Sequence, residues 1–144
     1  MLTKDQVERP TKKSQQMVLI IDRSEDSRQV LKTALERRGF QTMESLTARD
    51  GLKMVRMHHP ELVVLDLEAS PVNDPAVGIQ LDFEAEPSQT PIVILGNLRK
   101  NEVLPPHCSV VRKPYHYGPL IRKIEQMVAS NERGCDSPLL RASH

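Results

Sequence analysis

The hydrophobic residues of the chain form short continuous runs that are separated by longer, mostly polar segments. Three runs have the length of a strand, and they cover Met17–Ile21, Leu62–Leu65 and Ile92–Leu95. Runs with no polar alternation are typical of parallel strands that are covered on both faces. Two shorter segments, Phe40–Met43 and Ser109–Val111, predict two further strands.

The segments between the strands carry apolar residues at helical spacing. The first stripe follows Ser24, a good helix N-cap, and stops before Gly39, a good C-terminal residue. The apolar residues of this first helix are Val30, Leu31, Ala34 and Leu35. A second helix is predicted by Ala48, Leu52 and Val55, and a last helix by Tyr117, Leu120, Ile121, Ile124 and Val128. Residues 76–86 predict a short helix, whereas Pro105-Pro106 limits 97–107 to about one turn.

Alternation of strands and helices predicts an α/β fold with a parallel sheet between two helical layers. We expect a flavodoxin-like, doubly wound, five-stranded sheet of order 2-1-3-4-5, with the fourth helix shortened or lost. The domain should cover residues 17–130. Residues 1–16 are polar and predict a disordered arm, and residues 131–144 predict a flexible tail or the start of a linker.

Composition narrows the range of functions. At 144 residues, with 38% hydrophobic and 27% charged positions, the chain fits one globular domain. It lacks an apolar run of about 20 residues and an apolar signal-peptide region, so we expect a cytoplasmic protein that does not enter membranes. The net charge of +1 and the 3% aromatic content argue against direct nucleic-acid binding.

Three of the predicted strands end in charged residues. Asp22 follows the first strand, Asp66 ends the third, and Lys113 follows the fifth after Arg112. In an open parallel sheet, ligands bind outside the carboxyl ends of the strands. Two acids and a lysine at one rim would suit a divalent cation and a phosphoryl group.

This ordered set of motifs resembles the receiver domain of two-component response regulators over roughly residues 17–129. Met17–Asp22 is similar to the family's first strand and acidic turn, and Leu62–Leu67 is similar to the strand that carries the phosphoacceptor. Pro91–Leu95 resembles the fourth strand, and Lys113-Pro114-Tyr115 resembles the family's Lys-Pro-aromatic motif. Each motif is common by itself, but the order and spacing of the whole set are specific.

The resemblance implies a role for each matching residue. Asp66 would accept a phosphoryl group from a histidine kinase, a phosphotransfer protein or a small phosphodonor, and Lys113 would pair with Asp66 or its phosphate. Asp22, Asp66 and the backbone carbonyl of Glu68 would hold Mg²⁺. The Lys113–Pro114 peptide bond would be cis, as in the family.

Several positions depart from the family pattern. Arg23 stands where the family has a second acid after the first strand. Gly96, followed by Asn97, stands where the family has the hydroxyl residue that binds the phosphate. Val110 stands where the family has the switch aromatic of the fifth strand. The proline expected four positions after Asp66 is shifted, since Ser70 and Pro71 stand there. Two interpretations of the arginine are open: it points into solvent, or its guanidinium replaces the metal and pairs with Asp22 or Asp66. These departures predict an atypical receiver with a weakened Mg²⁺ site.

Three functions compete on this sequence. The first is a receiver in phosphorelay signalling that acts on a downstream effector, in transcription regulation for example. The second is a protein-interaction module that works without phosphorylation. The third is a haloacid-dehalogenase-type phosphatase, because Asp66-Leu67-Glu68-Ala69-Ser70 resembles its nucleophile loop, but the late acidic pair of that family is missing. We therefore expect a non-enzymatic module, for which a homodimer stays open.

Overall fold

The computed structural model describes residues 16–69, 90–96 and 106–136, with side chains up to residue 130. We number the elements of this described part in chain order. The strands are β1 (Met17–Ile21), β2 (Gln41–Ser45), β3 (Leu62–Asp66), β4 (Ile92–Leu95) and β5 (Cys108–Val111), and the helices are α1 (Glu25–Arg37), α2 (Ala48–His58) and α3 (Tyr117–Asp136). A 3-10 turn, Leu67–Ala69, follows β3.

The five strands form one parallel sheet of order β2-β1-β3-β4-β5, which confirms the predicted topology. The register pairs Ile21 of β1 with Leu65 of β3, and Asp66 with Leu95 of β4. The first residue after β1, Asp22, therefore lies beside Asp66 at one edge of the sheet.

Several element boundaries differ from the sequence prediction. β2 begins one residue later than predicted, at Gln41, and β5 begins one residue earlier, at Cys108. β2 runs to Ser45, two residues beyond the predicted strand, because it pairs with β1 along its whole length. α3 continues to Asp136, so residues 131–136 are helical although they were assigned to the tail. An existing helix extends at the cost of one ordered residue for each new hydrogen bond, and no proline interrupts it here. The predicted arm over residues 1–15, the helix at 76–86 and the shortened fourth helix lie outside the described residues.

The sheet separates two apolar layers. On one face, Val18, Ile20 and Val64 pack with α1 and α3, whose main contributions are Leu31, Leu35, Leu120 and Ile124. On the other face, Leu19, Ile21, Val63, Leu65 and Ile94 pack with Ala48 and Val55 of α2. Because both faces are covered, these strands contain almost no polar positions. Each fully buried Leu or Ile contributes roughly 1.5–3 kcal/mol, which holds the strand ends rigidly for the site.

The start of α1 determines the chain path next to Asp22. Ser24 is the N-cap, and its Oγ accepts a hydrogen bond from the Ser27 N–H at 3.2 Å. Gly39 follows the helix with φ of 95°, as its position in the sequence predicted. Three residues, Asp22 to Ser24, therefore connect β1 to α1, and this short turn is held by hydrogen bonds.

Candidate functional site

Asp22 lies in a tight turn at the end of β1 and is buried, with 6% of its surface exposed. Its backbone N–H donates to the carbonyl oxygen of Ser45 at 3.0 Å, which extends the pairing of β1 with β2. Its carboxylate Oδ1 accepts a hydrogen bond from the Ser24 N–H at 2.8 Å. The carboxylate therefore caps its own turn through one of its two oxygens.

Asp66, the last residue of β3, is paired with Lys113. The Lys113 Nζ lies 3.0 Å from Oδ1 and 2.8 Å from Oδ2 of Asp66. Oδ1 also accepts the Glu68 N–H at 2.8 Å. Asp66 is only 5% exposed, so the pair is largely shielded from water on the acid's side. The Glu68 carboxylate is a looser neighbour, with Oε2 at 3.5 Å from the same Nζ.

Lys113 reaches this position from the segment that follows β5. The Lys113–Pro114 peptide bond is cis, as the family resemblance implied. The structure thus brings together Asp22, Asp66 and Lys113, the three side chains that the strand ends predicted to meet. It places the Glu68 side chain at the outer border of the group, where 81% of it is exposed.

The charges of this rim do not balance. Burial raises the pKa of Asp22, and the negative charge of Asp66 adds to this effect, against the Ser24 hydrogen bond and the charge of Lys113. For Lys113, burial by itself would lower the pKa. The hydrogen bond and the negative charge of Asp66 outweigh the effect of burial, with a smaller contribution from Glu68, so the pKa of Lys113 is raised. The lysine is therefore charged at neutral pH, and a further cation would relieve the repulsion between the two aspartates.

Tyr115, two residues after Lys113, lies close enough to this rim to be affected by its charges. Burial is the main reason that its pKa is raised, and Tyr117 and the charges of Asp22 and Asp66 raise it further. The rings of Tyr115 and Tyr117 meet edge to face, with centroids 5.4 Å apart and planes at 79°. The phenol therefore stays neutral and adds no charge to the rim.

Arg23 does not take the place of a metal. It is exposed, and within the described residues Asp66 receives its ion pair from Lys113 instead. The interpretation that Arg23 pairs with Asp22 or Asp66 is wrong, and the solvent-exposed alternative agrees with the structure.

Gly96 is required by the backbone and by its neighbour. Its φ is 138°, a conformation that other residues rarely adopt, and its N–H donates to the Val111 carbonyl at 3.0 Å. A Cβ built here would lie 3.0 Å from Leu67 Cδ1. A residue with a hydroxyl could not enter unless Leu67 moved. Val110 is half-buried against the α2 layer, and Ser70, Pro71 and Asn97 lie outside the described residues.

Sequence reasoning missed Arg28 of α1. Only 8% of it is exposed, its Nη1 donates to the Asp22 carbonyl oxygen at 2.7 Å, and its Nε donates to Glu44 Oε1 at 3.1 Å. The spacing held the signal, because Arg28 precedes Leu31 and Leu35 by three and seven residues and shares their buried face.

Two aspartates are the basis of any metal site here. Among the described residues, no cluster of three or more His, Cys, Asp or Glu side chains could hold a metal ion. Mg²⁺ is commonly bound by only one or two protein carboxylates, with water and phosphate oxygens as further ligands. Two buried, mutually repelling carboxylates therefore fit Mg²⁺ better than they fit a metal that needs a full protein cage.

Comparison with known proteins supports the resemblance. No family model matches the chain. A curated relative, protein PilH of Pseudomonas aeruginosa, is 30% identical over 78 residues, a match that spans 54% of this chain and 64% of PilH. In the described part of the chain, no helix is long and apolar enough to cross a membrane.

Solved structures share the fold. The receiver domain of the Francisella response regulator 1452 superimposes with a TM-score of 0.69 at 18% identity, covering 81% of this chain and 99% of that one. A response regulator receiver modulated diguanylate cyclase from Pelobacter carbinolicus gives a TM-score of 0.64 at 23% identity, covering 85% and 99%. A signal receiver domain of a histidine kinase from Syntrophus aciditrophicus gives 0.68 at 18% identity, covering 81% and 92%. The chain has the fold of response regulator receiver domains, as the sequence predicted.

Proposed function

We propose that this chain is a receiver domain of a two-component system and that Asp66 accepts the phosphoryl group. The observation that carries the proposal is the position of the Lys113 Nζ, within 3.0 Å of both carboxylate oxygens of Asp66 at the carboxyl edge of the sheet. A carboxylate is a weak nucleophile, so it needs a fixed positive charge where the transferred group will carry negative charge.

The transfer would proceed by in-line displacement. One carboxylate oxygen of Asp66 forms a bond to phosphorus while the bond from phosphorus to the donor's imidazole nitrogen breaks, and the imidazole leaves with the bonding electron pair. Lys113, charged at neutral pH, would shift from the carboxylate to the phosphoryl oxygens. Asp22, Asp66 and the Glu68 carbonyl would hold Mg²⁺, which would supply further positive charge to those oxygens.

The replaced positions limit how phosphorylation could be transmitted. A switch hydroxyl at position 96 would need a strained backbone and a small movement of Leu67, and Val110 is not aromatic. We infer that a phosphorylated Asp66 would be held mainly by Lys113 and by backbone N–H groups. The partners would be a histidine kinase or phosphotransfer protein before the transfer, and an effector protein or domain after it.

A second function is favoured by the same contacts. Lys113 already neutralises Asp66, and the two oxygens of that carboxylate already have donors. An Asp66 carboxylate that is satisfied in this way would suit a protein-interaction module that needs no phosphorylation. Both functions use the same fold, so only a measurement of the rim separates them.

The test is an amide NMR titration of the whole chain with Mg²⁺ and then with beryllofluoride, a mimic of the aspartyl phosphate. For a working acceptor we expect shifts at residues 22–24, 66–68 and 113 that disappear in Asp66→Asn. Arg38→Lys, at an exposed ion pair with Glu125, is the matched control and should respond like the wild type. Absence of shifts with both reagents would contradict phosphorylation and support the interaction module.

A further inference from the structure

Arg28 is a buried cation next to the candidate metal site. About 10% of its side chain is exposed, and an arginine is rarely buried to this extent unless its hydrogen bonds are satisfied. Two acceptors meet this need: the backbone carbonyl of Asp22 at 2.7 Å and the carboxylate of Glu44 at 3.1 Å. Neither acceptor lies on the helix that carries the arginine.

The two acceptors belong to different strands. Asp22 follows β1, and Glu44 lies on β2, where it is paired in register with Ile20. A guanidinium has several N–H donors in a rigid plane, so one side chain can hold two acceptors at a fixed angle. Lysine has one flexible ammonium group and cannot reproduce this geometry.

These contacts restrain the Asp22 residue from three directions. Its carbonyl is held by Arg28, its N–H by the Ser45 carbonyl at 3.0 Å, and its carboxylate Oδ1 by the Ser24 N–H at 2.8 Å. Because the backbone N–H and the backbone carbonyl of Asp22 are both held, its carboxylate has little freedom to turn away from Asp66. This restraint matters because the two aspartates repel each other and would otherwise separate.

We propose that Arg28, buttressed by Glu44, is a positioning residue that holds Asp22 in the geometry required to bind a divalent cation beside Asp66. Arg28 contacts neither the cation nor the phosphoryl group in this proposal. It acts through the backbone of Asp22. The inference rests on the proposed function for the identity of the cation, but the restraint on Asp22 is a property of the metal-free chain.

The experiment compares the wild type with Arg28→Lys and the control Arg38→Lys. Both arginines lie in or next to α1 and pair with a glutamate, but Arg38 is exposed and remote from the rim. In the metal-free protein, amide hydrogen exchange at Asp22 and Ser24 should become at least tenfold faster in Arg28→Lys only. Exchange at Val63 and Ile92, whose N–H groups are hydrogen-bonded within the sheet, should change much less.

The second readout is the Mg²⁺ concentration that gives half of the amide shift. Loss of a residue that orients a metal ligand typically weakens binding by about 10–100-fold, and we expect a weakening in this range for Arg28→Lys. Should that variant fail to fold, Glu44→Gln takes its place, because it keeps an acceptor for the Nε but removes the charge that fixes the guanidinium. Its expected effect is smaller, about threefold to tenfold.

The outcomes separate the two proposals. Unchanged exchange at Asp22 and Ser24 in the folded variants overturns the restraint, whatever happens with Mg²⁺. Equal acceleration at Val63 and Ile92 also overturns it, because Arg28 would then stabilise the whole fold. If the wild type itself does not respond to Mg²⁺, the proposed function fails, and the exchange data alone decide whether Arg28 holds Asp22.

Discussion

Replacing Lys113 with methionine should destabilise the chain because it leaves Asp66 buried without its counter-ion. Two unit charges about 3 Å apart attract by about 5 kcal/mol at an effective dielectric constant of about 20. Desolvation of the acid offsets part of this attraction. Breaking a fully buried pair typically costs about 3–5 kcal/mol, and the 28% exposure of the lysine side chain reduces our expectation to about 2–3 kcal/mol.

A double-mutant cycle isolates the pair. Asp66→Asn alone should change the free energy of unfolding by less than about 1 kcal/mol, because the amide oxygen can still accept the Glu68 N–H and the repulsion with Asp22 disappears. The double variant should be more stable than Lys113→Met alone. The coupling energy should therefore be about 1.5–3 kcal/mol, in the range measured for residues in contact.

The assay is urea denaturation at pH 7 and low ionic strength. It is carried out on the whole chain for the four members of the cycle: the wild type, the two single variants and the double variant. Lys32→Met, which removes an exposed ion pair with Glu36, controls for loss of a surface lysine and should have a much smaller effect. Additive effects of Lys113→Met and Asp66→Asn, with coupling below about 0.5 kcal/mol, would refute the reasoning. The same result would show that Lys113 is a solvated lysine and would remove the observation that carries the proposed function.

Three further changes test other parts of the structure. Asp22→Asn should stabilise the chain at neutral pH by about 0.5–2 kcal/mol and abolish the Mg²⁺ response. Because the pKa of Asp22 is raised in the folded state, the wild type becomes more stable as the pH falls through that folded-state pKa. The stability advantage of the variant should therefore shrink as the pH approaches 3.8, the ordinary pKa of the side chain. Gly51→Ala in α2 should destabilise the chain by about 1–3 kcal/mol in urea denaturation, although alanine is the better helix former, since the new Cβ would overlap Ile21. Gly96→Thr, which restores the family's hydroxyl, should lower stability by about 1–3 kcal/mol and not strengthen beryllofluoride binding, because of the positive φ and the contact with Leu67.

Each of these has an outcome that would count against the structure. A stability difference between Asp22→Asn and the wild type that does not change with pH would mean that the carboxylate is not buried beside a like charge. A more stable Gly51→Ala would mean that α2 lies farther from β1 than the core packing requires. Tighter beryllofluoride binding by Gly96→Thr would mean that Leu67 leaves the space free.

Much of the fold was predictable because the strands are buried on both faces. A parallel strand covered on both faces is mostly apolar, and the strands predicted at Met17–Ile21, at Leu62–Leu65 with Asp66 at its end, and at Ile92–Leu95 have those boundaries in the structure. The edge strand β2 was placed less well, since its residues are partly exposed and mixed in polarity. The end of α3 was also missed, because its last residues are polar and gave no periodic signal.

The candidate site was predictable as a set of strand ends but not as a set of contacts. The sequence by itself indicated that Asp22, Asp66 and Lys113 would share one rim, because alternating strands and helices predict a parallel sheet, in which the carboxyl ends of all strands lie at the same edge. Only the tertiary structure decided which charge pairs with which. In the structure, Asp66 forms its ion pair with Lys113, and Arg23 is exposed to solvent. Arg28 is buried and donates a hydrogen bond to the carbonyl of Asp22. Patterning reports burial averaged over an element, whereas hydrogen bonds depend on positions that only the packed chain supplies.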